Sequence, residues 1–335
     1  MQEGKAEDTI RLGLAGDVML GRLVNERLKA LPYEYVWGNM LPLMKEMDIN
    51  VINLETTFTK SIRKVPKTFN FKAEPDRVKC LAVANVTIAS IANNHILDYS
   101  EEGMMETIAT LTGEGIQHAG AGYNLQEAAK AARHICKGIR IGVLGFTDNE
   151  PLWKAGARTP GTNYIDIDSS KEREAALSAI QELKGEVDCC IVSIHWGPNM
   201  RERPPRQFIS FAHAMAEHGA DIIHGHSAHI FQGIEVYHNK LILYDTGDFV
   251  DDYQVDPFLR NDRTFFFICA IAKSGVQSVS LIPALIDNFQ VNRATGEDYE
   301  WCVQRMKRLS KELGTEVGDD CEIIIEQKNF QQIGS

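Results

Sequence analysis

The stretch HGHSAH (residues 224–229) puts three imidazoles into six positions directly after the apolar run GADII (residues 219–223), where a β-strand would end. Imidazole binds borderline divalent metals and moves protons near neutral pH, so the spacing raises the question of a metal or acid–base site. Similar groups close other strand-like runs: Asp17, then Asn53 and Glu55, then Asn93, Asn94, His95 and Asp98, then His195. Carboxylate, amide and imidazole together make a ligand set for hard or borderline divalent ions. Each residue alone has an ordinary reading. Asp17 after Gly16 could cap a helix, Asn94 and Asp98 could close turns, and one histidine after a strand is commonly a hydrogen-bonded structural residue. His224 alternates with Ile223 and sits beside a metal rather than on it. Five strand ends that all finish in metal-capable groups shift the reading toward one shared site.

The elements that must position these groups follow an α/β pattern. Strands are expected over 10–17, 49–55, 86–95, 139–146, 188–196 and 220–226, with helices of three- and four-residue period over 101–113, 124–134, 170–184 and 206–218. In such sheets ligands gather at the carboxyl ends of strands, which is where the polar residues fall. After residue 230 the runs FQGIEVYHNKLILYDTGDF and RTFFFICAIAK/VQSVSLIPALI read as hairpins turning at residues 238–240 and 274–275. A helix over 297–313 and a tail strand over 321–327 complete the chain. We expect an N-terminal tail (1–9), one domain (10–290), and a C-terminal helix and strand (291–335) packed on it.

Composition narrows the function. The formal charge is −11 with no concentrated basic face, so no nucleic-acid partner is expected. Seven cysteines lack paired C-x-x-C spacing, which argues for reduced thiols in a cytoplasmic protein. No window approaches the roughly 18–20 apolar residues of a membrane span, so no integral membrane segment is expected unless one was removed.

The segments GDVMLGR (16–22), NLETTFT (53–59), ANNHILDYSEEG (92–103), GIQHAGAG (115–122), SIHWGPN (193–199) and the run from GADIIHGHSAH to YDTGDF (219–249) carry a resemblance. Together they resemble the bacterial capsule-synthesis CapA family, associated with poly-γ-glutamate biosynthesis and similar to calcineurin-like metallophosphoesterases. The similarity is colinear from about residue 10 to 252. It implies an α/β fold: a layered metallophosphoesterase-like β-sandwich with flanking helices, in four layers α-β-β-α. It also implies metal ligation by Asp17, Glu55, Asn94, His195, His226 and His229, with Glu55 as a bridging acid and His95 beside the leaving group. Two departures stand out. Met19 occupies the histidine position of Asp-x-His, and Ala228 the second histidine of Gly-His-x-His, with His229 one residue later. Met19 is expected to pack under the site, since a thioether is a poor ligand for a hard cation. His229 could swing into the missing place. A third departure is YDTGDFVDDY (244–253), where the family has a Ser-Leu-Gly-Asn-Phe-like stretch. It is either a solvated acidic loop or, through Asp245 or Asp248, a source of metal charge compensation or of a seat for a cationic substrate group.

The expected cofactor is one or two divalent ions, with Mn, Zn, Fe, Mg and Ca all open. His95 and Asp98 are the catalytic candidates, and Lys72, Arg201, Arg203 and Asp248 the substrate-binding ones, on a small-molecule or peptide-like anion. The leading function is a metal-dependent hydrolase of a phosphoester or peptide-like polyanion in poly-γ-glutamate or capsule metabolism. Two alternatives stay open: a metal-dependent peptide or amino-acid epimerase that stabilises an enolate, and a non-catalytic accessory protein with a polymer-synthase partner.

Overall fold

The computed structural model describes residues 9–325. The N-terminal tail over residues 1–8 and the end of the expected tail strand, 326–327, lie outside the described residues. Alternation of apolar side chains builds two sheets that meet face to face. The first runs in the order Gln290–Arg293, Gly275–Asp287, Arg263–Ala272, Ile10–Val18, Ile49–Leu54, Val86–Ser90, Gln117–Ala119. Asp248–Val250 pairs beside Ile10–Val18, and Glu322–Ile324 beside Gly275–Asp287. The second sheet runs Ile234–Tyr237, Lys240–Leu243, Ile222–His226, Cys189–His195, Ile139–Thr147, Ala132–Cys136.

Leu12, Leu14, Val51 and Ile88 from the first sheet pack against Ile141, Val143, Ile191 and Leu243 from the second. The amphipathic helix Gly296–Glu312 adds Cys302, Met306 and Leu309 to this core. The outer face of the first sheet, with Ile52 and Leu54, is covered by Trp37, Met44, Leu81 and Met104 from its helical segments. The outer face of the second, with Val192, Ile194 and Ile223, is covered by Ile180 and Leu183 of Ser170–Glu186 and by Phe211 and Met215 of Arg206–Glu217. The fold is therefore a four-layer α-β-β-α sandwich. Both hairpins form as antiparallel pairs. No helix among the described residues is long and apolar enough to cross a membrane.

One expected helix is corrected. Over 124–134 only Leu125–Ala128 is helical, capped by the Asn124 side chain accepting from Glu127 N. Ala132–Cys136 is instead an edge strand, turned back on Ile139–Thr147 by Lys137 and Gly138, both in left-handed backbone. The strand expected over 86–95 ends at Ser90, because Asn93 leaves the ladder to donate to Leu54 O at 2.8 Å.

The parallel strands of both sheets end at the same edge of the sandwich. Ile10–Val18 runs parallel to Ile49–Leu54 and to Asp248–Val250, with Asp17 level with Asn53 and with Asp248. In the second sheet His195 is level with His226. Glycine permits the close packing here: a Cβ on Gly16 would fall 1.8 Å from Gly247 O, and one on Gly225 2.0 Å from Tyr244 O.

Candidate metal centre

Two groups of side chains at this edge lie close enough to hold an ion, and they share Asp17. Asp17, His195 and His226 form one; Asp17, Glu55, His229 and Asp248 form the other, with the ligand atoms of each group within 4.8 Å of one another. His195 Nδ1 lies 2.9 Å from His226 Nδ1, and His226 Nδ1 3.7 Å from Asp17 Oδ1. His229 Nδ1 lies 2.8 Å from Asp248 Oδ1 and 3.6 Å from Asp17 Oδ2. Glu55 joins the two, with Oε1 3.8 Å from both His195 Nε2 and His95 Nε2.

A surrounding layer of hydrogen bonds fixes these groups. Asn93 Nδ2 donates to Asn53 Oδ1 at 3.1 Å, and Asn53 Nδ2 donates to Asp17 Oδ1 at 2.6 Å. Ser193 Oγ lies 2.9 Å from His226 Nε2, which leaves Nδ1 facing Asp17. Tyr253 Oη donates to Glu55 Oε2 at 3.3 Å. His224 stands behind the cluster between Ser193 and Thr246, each at 3.4 Å.

The site is buried and carboxylate-rich. Burial lifts the Asp17 carboxyl to about 7 and Glu55 well above its ordinary range, and it raises Asp248 as well. Burial pushes His195 and His226 well down, so both stay neutral, the form that ligates. Burial would also lower His229, but the carboxylates of Asp248, Glu55 and Asp17 reverse the sign and raise it. Asp17 Oδ2, Glu55 Oε1, Asp248 Oδ2 and His195 Nε2 are buried with no hydrogen-bond partner among the described residues. Buried acceptors left unsatisfied are costly, and divalent ions are what such a donor set accommodates.

His95 and Asp98 sit at the rim. The chain turns sharply over residues 93–98, and His95 Nδ1 meets Asp98 Oδ2 at 2.6 Å while Nε2 faces Glu55. Phe71 stacks on the imidazole, ring centroids 3.6 Å apart, and its backbone N donates to Asp98 Oδ2 at 2.6 Å. Burial raises Asp98 to about 7 and lowers His95, with Lys67 lowering His95 further. His95, Asn94, His229 and Tyr253 open on a cavity of about 940 Å³. Asn94 Oδ1 is buried there without a hydrogen-bond partner among the described residues.

The expected cations are not at this cavity. Lys72 Nζ donates to Ser61 O at 3.1 Å and lies over the Tyr99 ring, because Phe71 takes the inward face and its neighbour turns out. Arg203 is bidentate to Glu312 at 2.6 and 2.9 Å on the surface. Arg201 is exposed and does not line the cavity. Asp248, expected either at the substrate or as charge compensation for a metal, faces His229 and lies level with Asp17, away from the cavity lining. The rest of the acidic stretch is equally committed: Asp245 accepts from Ala228 N and Gly247 N, Asp251 from Tyr253 N, and Asp252 from Leu23 N. The sequence reading missed Tyr253, Phe71 and two cavity cations, Arg22 and Lys67. Lys67 Nζ binds Asn94 O and, at 3.0 Å, Asp98 Oδ1. Met19 is fully buried in the apolar core, its sulfur accepting from Gly21 N at 3.1 Å.

Residues 11–253 match the family described as bacterial capsule synthesis protein PGA_cap. A probable polyglutamine synthesis accessory protein of Mycobacterium tuberculosis is 32% identical over 318 residues, covering 90% of this chain and 83% of the relative. The PGA biosynthesis protein CapA of Bacillus subtilis is 31% identical, over 74% of this chain and 64% of its own. The capsule biosynthesis protein CapA of Bacillus anthracis is 30% identical, over 74% and 61%. Among solved structures, a 5'-nucleotidase of Candida albicans is loosely similar, with TM-score 0.44 and 12% identity over 91% of this chain and 58% of its own. The chain belongs to the PGA_cap family.

Proposed function

We propose that this protein is a metal-dependent hydrolase that cleaves a phosphoester or a peptide-like anionic substrate in poly-γ-glutamate or capsule metabolism. The observation that carries this reading is the sharing of Asp17 by two ligand groups, one of which reaches the cavity through His229 and meets, through Glu55, the cavity-lining His95 of the His95–Asp98 pair. The residues fit divalent ions, since four buried ligand atoms there have no other partner among the described residues. Asp17, His195 and His226 would hold one ion, and Asp17, Glu55, His229 and Asp248 another. The first set, rich in imidazole, suits zinc or iron, and the second, rich in carboxylate, suits manganese or magnesium. Such an ion supplies Lewis-acid polarisation of the substrate and an acidified water.

The remaining work falls to the chain's own groups. Asp98 anchors His95 Nδ1, which aims Nε2 at the cavity, and the carboxylate stabilises the imidazolium when Nε2 carries a proton. Nε2 is then the atom that gives the proton to the departing oxygen or nitrogen. Phe71 holds the ring flat and shields it from water. Lys67 bridges Asn94 O and Asp98 Oδ1, so the turn keeps its shape when substrate enters. Tyr253 holds Glu55 in place.

The test is protein purified without chelator or nickel, analysed for metal, reconstituted with manganese or zinc, and assayed on a chromogenic phosphoester. Turnover that disappears with chelator and in His226→Ala supports the reading, and no bound metal after reconstitution overturns it. The mycobacterial relative, a probable polyglutamine synthesis accessory protein, favours a second reading, a non-catalytic partner of a polymer synthase. Synthase capture by a metal-loaded protein that turns over no ester or peptide would select it.

A further inference from the structure

We propose that Arg22 is an anion-binding anchor in the cavity, and that the substrate carries a second anionic group, a carboxylate or a phosphate, on the half that departs. Arg22 ends the GDVMLGR segment and lines the same cavity as His95 and His229. Its guanidinium carbon lies 5.4 Å from the Phe69 ring and 5.6 Å from the Phe71 ring. Nε pairs with Asp252 Oδ2 at 3.3 Å, and the Asp252 side chain is fully buried. Two rings and a buried carboxylate therefore fix the plane of the fork. Its Nη atoms take no hydrogen-bond partner among the described residues, and a third of the side chain is open. Arg22 also holds a left-handed φ of 49°, a conformation that a non-glycine residue adopts only when its surroundings impose it.

Other charges at the cavity are committed. Lys67 is spent on Asn94 O and Asp98, with Glu150 3.7 Å away, so these two neutralise each other. His229 faces Asp248 and Asp17. Asp256 accepts from Phe258 N and Leu259 N, each at 2.8 Å. Among the described lining residues, Arg22 is thus the cation with free donors, and a planar guanidinium fork matches carboxylate and phosphate oxygens two at a time.

Position assigns the anion to the departing half. Phe71 meets both groups: its ring stacks on the His95 imidazole, which protonates the leaving atom, and the Arg22 guanidinium carbon lies 5.6 Å from the same ring. A group bound at the Arg22 fork therefore lies beside the ring that carries His95, in the cavity that both line. A cavity of about 940 Å³ has room for a two-headed substrate of this kind.

This inference rests on the hydrolase reading, and the experiment separates the two. Three aryl phosphates serve as probes, with leaving groups 4-nitrophenol, a carboxylated 4-nitrophenol and a phosphorylated 4-nitrophenol. In the metal-loaded wild type, kcat/KM for one of the two anionic probes should exceed that for the neutral probe by tenfold or more, and which one it is identifies carboxylate or phosphate. Arg22→Gln should bring that preference to within about twofold of unity, Arg22→Lys should keep part of it, and Asp252→Asn, which frees the fork to move, should fall between. The free phenols are titrated into the same proteins by calorimetry, where Arg22→Gln should weaken only the anionic phenol, again by tenfold or more. Equal loss on all three probes, or a preference unchanged in Arg22→Gln, overturns the proposal. No turnover of any probe counts against the hydrolase reading, and the phenol titrations then decide Arg22 alone.

Discussion

Replacing Asp17 with asparagine should make the metal-free protein more stable than wild type and the metal-loaded protein less stable. Burial lifts the Asp17 carboxyl from 3.8 to about 7, opposed by His229 and Asn53 and aided by Asp248. Its folded value lies above its unfolded one. As pH rises between the two, the unfolded chain releases a proton that the folded protein keeps, so stability falls by about 1.4 kcal/mol per pH unit. Over roughly three units the loss approaches about 4 kcal/mol, absent below pH 4 and complete above pH 7. The amide of Asp17→Asn can still accept from Asn53 Nδ2 but does not ionise, so it escapes this loss. A divalent ion reverses the order, because binding at a hundredfold excess over Kd stabilises wild type by about 2.7 kcal/mol per ion. The variant lacks the ligand common to both groups and gains neither increment. Urea unfolding at pH 4, 6 and 8, in chelator and in manganese, measures all of this. If Asp17→Asn were the less stable protein in chelator at pH 8, or if manganese stabilised both proteins equally, the description of Asp17 as a buried carboxylate awaiting a shared cation would be wrong.

Further outcomes are expected from single substitutions. His95→Asn should retain metal by elemental analysis yet lower turnover by roughly 10²- to 10⁴-fold, with Asp98→Asn falling in the same direction; metal loss in His95→Asn would reverse the roles given to the ligands and the acid. Met19→Leu should keep both metal and fold, at a cost under about 1.5 kcal/mol, whereas His195→Ala should lose metal; equal loss in the two would make Met19 a ligand. Cys189 and Cys190 are buried and burial raises both thiols, Cys190 to about 12, so an alkylating reagent at pH 8 should leave them intact in the native protein and modify half-buried Cys136 first. Rapid labelling at Cys189 would place it outside the strand.

The layer order and most of the ligand edge were legible because both depend on local pattern. Ile10, Leu12 and Leu14 alternate into the inter-sheet core, and the residue that ends such a strand is carried to the sheet edge whatever the rest of the chain does. Asp17, Glu55, His195 and His226 are positioned by that rule alone. The cavity wall over residues 66–72 follows no such rule: Pro66, Lys67, Thr68, Phe69 and Phe71 all line the cavity in irregular chain, while Lys72, where a short strand begins, turns to Ser61. Arg203 could not be set aside from local pattern either, because Glu312, its bidentate partner, is 109 residues distant in sequence.

What was not legible is how the chain answers its two departures from the phosphoesterase pattern. Met19 stands where the resembled pattern has an imidazole, and the groups that gather at Asp17 arrive from elements that no spacing rule connects. His229 reaches Asp17 only because Ser227 and His229 both hold left-handed backbone, φ 116° and 60°, at positions without glycine to announce it. Asp248 reaches the same place by parallel pairing with Ile10–Val18, level with Asp17. The acidic stretch, for which the sequence left a solvated loop and a role at the site both open, is thereby folded inward: Asp245 holds the loop before His229, Asp248 faces the imidazole, Asp251 accepts from Tyr253 N, and Asp252 braces Arg22. Three carboxylates and one imidazole surround the second position, compared with one carboxylate and two imidazoles at the first. Under the proposed function, two sites that share Asp17 but differ this much in charge should differ in the ion they prefer, and the missing Asp-x-His imidazole then changes the metal chemistry of one position rather than removing it.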